Sequence, residues 1–124
     1  MIRVLICDDQ PIVCEGLRGI LSTASNITVV GLVYNGAEAL AQISVLQPDL
    51  ILMDLKMPGM NGIQATQLIH EQYPTVKVLA LTTYAVDEWV SAAIRNGASG
   101  YLLKDIPRER LVATIEDTML GRQA

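Results

Sequence analysis

Asp49-Leu-Ile-Leu-Met-Asp54 is the stretch on which the reading of this 124-residue chain turns. Four apolar residues stand between two acids, with Pro48 just upstream and the turn-rich Lys56-Met-Pro-Gly-Met-Asn-Gly62 just downstream. A run this short, without polar alternation, reads as a strand buried on both faces, which marks a parallel sheet. The pattern recurs on either side. Arg3-Val-Leu-Ile-Cys7 leads into Asp8 and Asp9, Val76-Lys-Val-Leu-Ala-Leu81 into Thr82, and Tyr101-Leu-Leu103 into Lys104. In an open parallel sheet the carboxyl ends of the strands share one edge, and ligands bind there. Three carboxylates, a hydroxyl and an ammonium are thus expected in one pocket, suited to a divalent cation and a phosphoryl group.

Between these runs lie helical segments, so that strand and helix alternate five times. Strands are expected at about residues 3–7, 28–33, 50–53, up to 81 or 82, and 100–103. The first helix is read from Pro11, whose missing N–H costs nothing at a first helical position, to Ala24. Asn35 can cap the second helix, with Glu38 three residues on, and that helix ends before Pro48. The third helix is read over Ile63–Gln72, the fourth over Val86–Asn96 with Gly97 as a left-handed cap, and the fifth from Pro107 to about Leu120. Leu111, Ile115 and Thr118 or Met119 fall at core-facing spacing on the last of these. Five βα units with short right-handed connections predict a doubly wound α/β three-layer sandwich of the flavodoxin-like type, with strand order 2-1-3-4-5.

Composition narrows the function classes. The length suits one domain, and 51% hydrophobic with 18% charged residues describes a globular chain. No apolar run approaches the roughly 20 residues of a membrane span, and the start lacks a basic region and a cleavage site, so a cytoplasmic protein is expected. A net charge of −4 without a Lys/Arg cluster argues against direct nucleic-acid contact by this chain. Two cysteines without metal-ligand spacing, Cys7 and Cys14, read as reduced structural thiols.

With strands one and three adjacent at the topological switch point, Asp9 lies beside Asp54, with Asp8 next to both. Carboxylates so close repel, so either one pKa rises or a cation neutralises them. Magnesium, or manganese in its place, suits hard oxygen ligands and retains its waters. A carboxylate held against such an ion, with Lys104 opposite, can attack phosphorus and form an acyl phosphate. Taken singly, each residue has a plainer reading: a strand-end Asp as a helix cap, Thr82 as a strand residue, Lys104 as a surface charge. It is their joint occurrence at strand ends of one sheet that carries the functional reading.

Over its whole length the chain resembles a receiver domain of two-component response regulators, of the CheY-like type. The resemblance runs from Val4-Leu-Ile-Cys-Asp-Asp9 through Asp49-Leu-Ile-Leu-Met-Asp-Leu-Lys-Met-Pro-Gly-Met-Asn-Gly62 to Leu81-Thr-Thr-Tyr84 and Gly97-Ala-Ser-Gly-Tyr-Leu-Leu-Lys-Asp105. It implies that Asp54 is the phosphoacceptor, receiving phosphate from a sensor histidine kinase. It implies Mg²⁺ held by Asp9, Asp54 and the Lys56 backbone carbonyl, with Asp8 acting through water. Thr82 and Tyr101 would be the switch pair, Lys104 would contact the phosphoryl group, and Lys56, Thr83 and Tyr84 flank the pocket as tuning positions. Turning such a switch from 1:99 to 99:1 needs about 5.5 kcal/mol of differential stabilisation.

Where the commonest receiver pattern has proline after the lysine, this chain has Asp105, as in the NarL/LuxR-type regulators that it resembles most. The resemblance implies homodimerisation on phosphorylation, through helices one and five or through the face of helix four, strand five and helix five. It also implies a helix-turn-helix DNA-binding domain outside residues 1–124, and a domain that is itself a phosphoacceptor rather than an enzyme. A stand-alone receiver acting through protein contacts is the alternative. An aspartate-nucleophile phosphatase is a weaker one, because its second Asp follows two residues after the first, whereas Asp8 and Asp9 are adjacent. A flavodoxin-like electron carrier would need a hydroxyl-rich phosphate loop where this chain has Asp8-Asp-Gln-Pro11. Trp89 is either a partner contact or a packing residue, and His70, the single histidine, reads as solvated surface.

Overall fold

The computed structural model describes residues 1–84 and 87–121. Five parallel strands, β1 (Ile2–Cys7), β2 (Ile27–Val33), β3 (Leu50–Asp54), β4 (Lys77–Thr82) and β5 (Gly100–Leu103), form one sheet in the order β2-β1-β3-β4-β5. The helices between and after them are α1 (Pro11–Leu21), α2 (Gly36–Leu46), α3 (Gly62–Gln72), α4 (Glu88–Arg95) and α5 (Arg108–Met119).

Side-chain alternation along the central strands builds the two cores. Leu5 and Cys7, Ile51 and Met53, and Val78 and Ala80 point to one face, where α2, α3 and α4 contribute Ala39, Ile43, Ala65, Ile69, Val90 and Ala93. Val4 and Ile6, Leu50 and Leu52, and Leu79 and Leu81 point to the other, against Cys14, Leu17 and Leu21 of α1 and Leu111 and Ile115 of α5. All five residues of β3 are buried, as a strand covered by helices on both faces requires. The expected doubly wound sandwich is the observed fold.

Two helix ends differ from the sequence reading or go beyond it. The first helix stops at Leu21, not Ala24, because Ser22 and Thr23 turn their hydroxyls back to the carbonyls of Gly19 (2.8 Å) and Ile20 (2.7 Å). Such side-chain bonds compete with continued helix. The fourth helix begins at Glu88, with Asp87 as its cap: Asp87 Oδ1 accepts the Trp89 N–H at 2.8 Å. The expected start at Val86 lies outside the described residues. At the other end of α4, Gly97 adopts φ 115°, and a Cβ there would come within 2.5 Å of the exposed His70 side chain on α3. Both facts require glycine.

Candidate functional site

Strand register brings the acids together. Cys7 pairs with Met53 across β1 and β3, so the next residues, Asp8 and Asp54, leave the sheet side by side. Asp54 in turn pairs with Leu81, which brings Thr82 alongside, and Thr82 pairs with Leu103, one residue before Lys104. Lys104 N–H donates to the Thr82 carbonyl at 2.9 Å, fixing where the lysine leaves β5. Carboxylate oxygens of Asp8, Asp9 and Asp54 all lie within 4.8 Å of one another, Asp8 and Asp54 buried and Asp9 exposed. Beside them is an open cleft of ≈ 270 Å³, lined among others by Asp9, Asp54, Lys56, Thr82, Tyr84 and Lys104.

The loop after Asp54 is held in place by local chemistry. Asn61 Oδ1 accepts the Gln64 N–H (2.9 Å) while Gln64 Oε1 accepts the Asn61 N–H (3.0 Å), a reciprocal cap at the start of α3. Gly62 N–H donates to the Leu55 carbonyl at 2.9 Å, and a Cβ on Gly62 would stand 2.1 Å from the Asp54 carbonyl oxygen. Only glycine allows α3 to begin so close to the strand that carries Asp54.

The charges are unevenly compensated. Lys104 Nζ bridges two acids, at 2.9 Å from Asp8 Oδ2 and 3.2 Å from Asp54 Oδ1. Asp8 Oδ1 accepts the Gln10 N–H (2.9 Å) and Asp54 Oδ1 the Leu55 N–H (3.0 Å). Asp8 Oδ2 is buried and, apart from the ion pair, has no hydrogen-bond donor among the described residues. Burial first, and then the Asp8 charge, push the Asp54 carboxyl up to about 6, although Lys104 pulls the other way. Burial alone would lower the Lys104 ammonium, but its hydrogen bond to Asp8 and the charges of Asp54 and Asp8 outweigh that and hold it above its ordinary value.

This donor set fits a hard divalent cation. One lysine stands against three clustered carboxylates, and the buried Asp8 Oδ2 has that lysine as its one charged partner among the described residues. An ion with oxygen affinity and retained waters meets both needs.

Not every residue read from the sequence faces this cleft. The Thr82 hydroxyl donates to the Tyr84 carbonyl (3.0 Å) and accepts the Tyr84 N–H (3.3 Å). Tyr101, 40% exposed, lines a separate groove of ≈ 550 Å³ with Ile94, Ile106 and Arg110. No described peptide bond is cis, so the Lys104–Asp105 bond is trans. Thr83 and Tyr84 are exposed on the cleft rim. The sequence reading missed Asp87 and Gln10, which also line the cleft. Asp87 had a legible signal, an acid followed by Glu88 ahead of an apolar-periodic segment, but a helix begun at Val86 hides it.

Beneath the acids lie the two thiols, both buried and free. The Cys14 Sγ–H donates to the Asp8 carbonyl at 3.4 Å, and the Cys7 Sγ–H to the Asn35 carbonyl at 3.4 Å. Burial is the main reason that Cys14 is pushed up to about 11 and Cys7 further still.

A profile of the response regulator receiver domain matches residues 4–116. The chain belongs to the response regulator receiver family. It is 43% identical over 115 residues to the transcriptional regulatory protein LnrK of Bacillus subtilis (strain 168), covering 93% of this chain and 52% of that protein. It is 36% identical over 118 residues to the nitrate/nitrite response regulator protein NarL of Escherichia coli (strain K12), covering 95% and 55%. The crystal structure of a LuxR-family two-component response regulator from Aurantimonas sp. SI85-9A1 superposes with a TM-score of 0.90 at 34% identity, covering 98% of this chain and 87% of that one.

The chain spans about half the length of the curated relatives it matches. It is a receiver domain of the kind found in transcriptional response regulators of two-component systems, a family whose general function is phosphorylation by a kinase. Receiver domains are signalling domains that bind Mg²⁺ at an acidic pocket, interact with sensor histidine kinases and often dimerise. Among the described residues no helix is long and apolar enough to cross a membrane.

Proposed function

We propose that this receiver domain accepts a phosphoryl group on Asp54 from a sensor histidine kinase and relays its arrival to an output domain. The observation that carries this reading is Lys104 bridging Asp8 and Asp54 inside a cluster of three carboxylates that one ammonium does not neutralise. Asp9, Asp54 and the Lys56 backbone carbonyl would hold Mg²⁺ or Mn²⁺ directly, and Asp8 through water. The ion would supply positive charge against the phosphoryl oxygens.

The chain's own residues do the rest. An Asp54 carboxylate oxygen forms a bond to phosphorus while the bond from phosphorus to the kinase imidazole nitrogen breaks, and its electron pair stays on the imidazole. Lys104 pairs with the transferred oxygens, which relieves its present load on Asp54. The Thr82 hydroxyl, held by Tyr84 at 3.0 Å, leaves that bond to meet a phosphoryl oxygen. Tyr101 then turns inward, and the surface of α4, β5 and α5 changes with it. Lys56, Thr83 and Tyr84 on the rim tune the lifetime of the acyl phosphate.

The output is dimerisation through α1 and α5, with the α4, β5 and α5 face as the rival surface. It serves a helix-turn-helix domain in a longer cytoplasmic transcription regulator, a reading supported by relatives about twice as long as this chain. DNA contact belongs to that domain and not to this one. The receiver is a phosphoacceptor and turns over no separate substrate.

Acetyl phosphate with Mg²⁺ is expected to add one acid-stable, base-labile phosphate, read as a mass increase of about 80 Da typical of one phosphoryl group. Asp54→Asn abolishes it. Labelling that survives this substitution overturns the site assignment, and steady release of phosphate from simple esters would favour the phosphatase reading instead.

A further inference from the structure

Lys56 joins two parts of the molecule that the backbone keeps apart. It sits two residues after Asp54, in the loop between β3 and α3, and it lines the acidic cleft. Its ammonium has partners other than the two acids that Lys104 bridges. It lies 5.5 Å from the centroid of the Trp89 ring and 3.9 Å from Asp87 Oδ2, both at the start of α4. Asp87 is held by its other oxygen, which caps α4 by accepting the Trp89 N–H, so cap, ring and ammonium form one assembly. Trp89 is packed against the core formed with α2, α3 and α4, and is therefore a firm support for the cation. Asp87, Trp89 and Lys56 all belong to the cleft wall.

We propose that Lys56 is a positioning residue that ties the N-terminus of α4 to the acidic pocket, so that a divalent cation bound in the pocket is registered at Trp89. The inference rests on the proposed function, in which the Lys56 carbonyl is a metal ligand. One residue then carries two attachments: its backbone to the cation and its ammonium to α4. A change at either attachment biases the other, and the coupling is reciprocal. The bridge holds Lys56 where the ion needs it, and the ion in turn fixes the ammonium over the indole. A long ion pair exposed on its lysine side and a cation–π contact are individually weak, so the effect on metal affinity is modest, about two- to fivefold.

Trp89 is the chain's single tryptophan, so its emission is an unambiguous reporter. Titration of the intact chain with MgCl₂, followed in parallel by calorimetry and by tryptophan emission, tests the proposal. In the wild-type chain the emission change tracks the binding heat. Asp87→Asn keeps a good cap for α4 but loses the charge facing Lys56. Lys56→Met keeps the stem and loses the ammonium. Both are expected to shrink the emission response to less than half and to weaken Mg²⁺ binding by about two- to fivefold. Lys56→Arg restores both. Normal binding heat with a silent Trp89, or an unchanged response in both variants, overturns the proposal while leaving the metal site standing. Absence of binding heat in the wild-type chain overturns the metal reading and this inference with it.

Discussion

Asp54 sits between burial, which favours its neutral form, and Lys104, which favours its charge, and burial prevails with its carboxyl near 6. Unfolded, the same group ionises near 3.8. Between those two values the folded, metal-free chain binds more protons than the unfolded one. The contribution of Asp54 to stability in the presence of EDTA is therefore greatest below about pH 4 and declines as pH rises through about 6. Asp54→Asn removes that decline. Set against the loss of one Lys104 partner, the variant is expected to gain roughly 1–2 kcal/mol at about pH 7 in urea melts, with no gain at about pH 4. In the proposed function a bound cation would offset the burial and the Asp8 charge that raise this carboxyl, and so favour its ionised form.

At the scale of elements, the site depends on α3 starting against β3. Gly62→Ala forces a Cβ to within 2.1 Å of the Asp54 carbonyl oxygen and 2.8 Å of Leu55 Cα, so strand or helix must move. A loss of about 3 kcal/mol is expected in denaturant melts, together with weaker Mg²⁺ binding. Gly16→Ala, at a helical position with open space around it, is the control and should gain about 0.5–1 kcal/mol.

These contacts also explain what the sequence could reveal. The strand-end residues were legible because burial on both faces erases polar alternation, and strand order then fixes who stands beside whom. Gly62 was legible only as turn chemistry, since its need comes from a backbone oxygen on another element. The Lys56 bridge to Asp87 and Trp89 was illegible: it joins residues far apart in the chain through side chains, and no local period encodes that. The end of α1 was missed because hydroxyl groups that bond back to Gly19 and Ile20 look, in sequence, like two more helical residues.

Across the whole molecule, a cation bound at the acidic cluster would link the site to global stability. A ligand that binds only the folded chain adds stability by mass action, about 2.7 kcal/mol at roughly a hundred times its dissociation constant. Mg²⁺ is therefore expected to raise the melting temperature of the wild-type chain in a concentration-dependent way. Asp9→Asn, which removes an exposed carboxylate from the cluster without opening the core, should abolish most of that rise. Calorimetric scans with and without MgCl₂ provide the check.

The two thiols under the acids allow the lifetime of the closed fold to be timed. Cys7 is the last residue of β1 and Cys14 lies on α1, each with no exposed surface, and burial is the main cause that pushes the Cys14 thiol up to about 11. An alkylating reagent can reach them only after the first βα unit has come apart. Pulsed iodoacetamide labelling, read by mass, should therefore proceed orders of magnitude more slowly than on a free thiol, and should modify both cysteines together. Its rate would count openings of the very strand that delivers Asp8 and Asp9, so one experiment without a dye or tag would time how often the acidic edge of the sheet is dismantled, and how far added Mg²⁺ delays it.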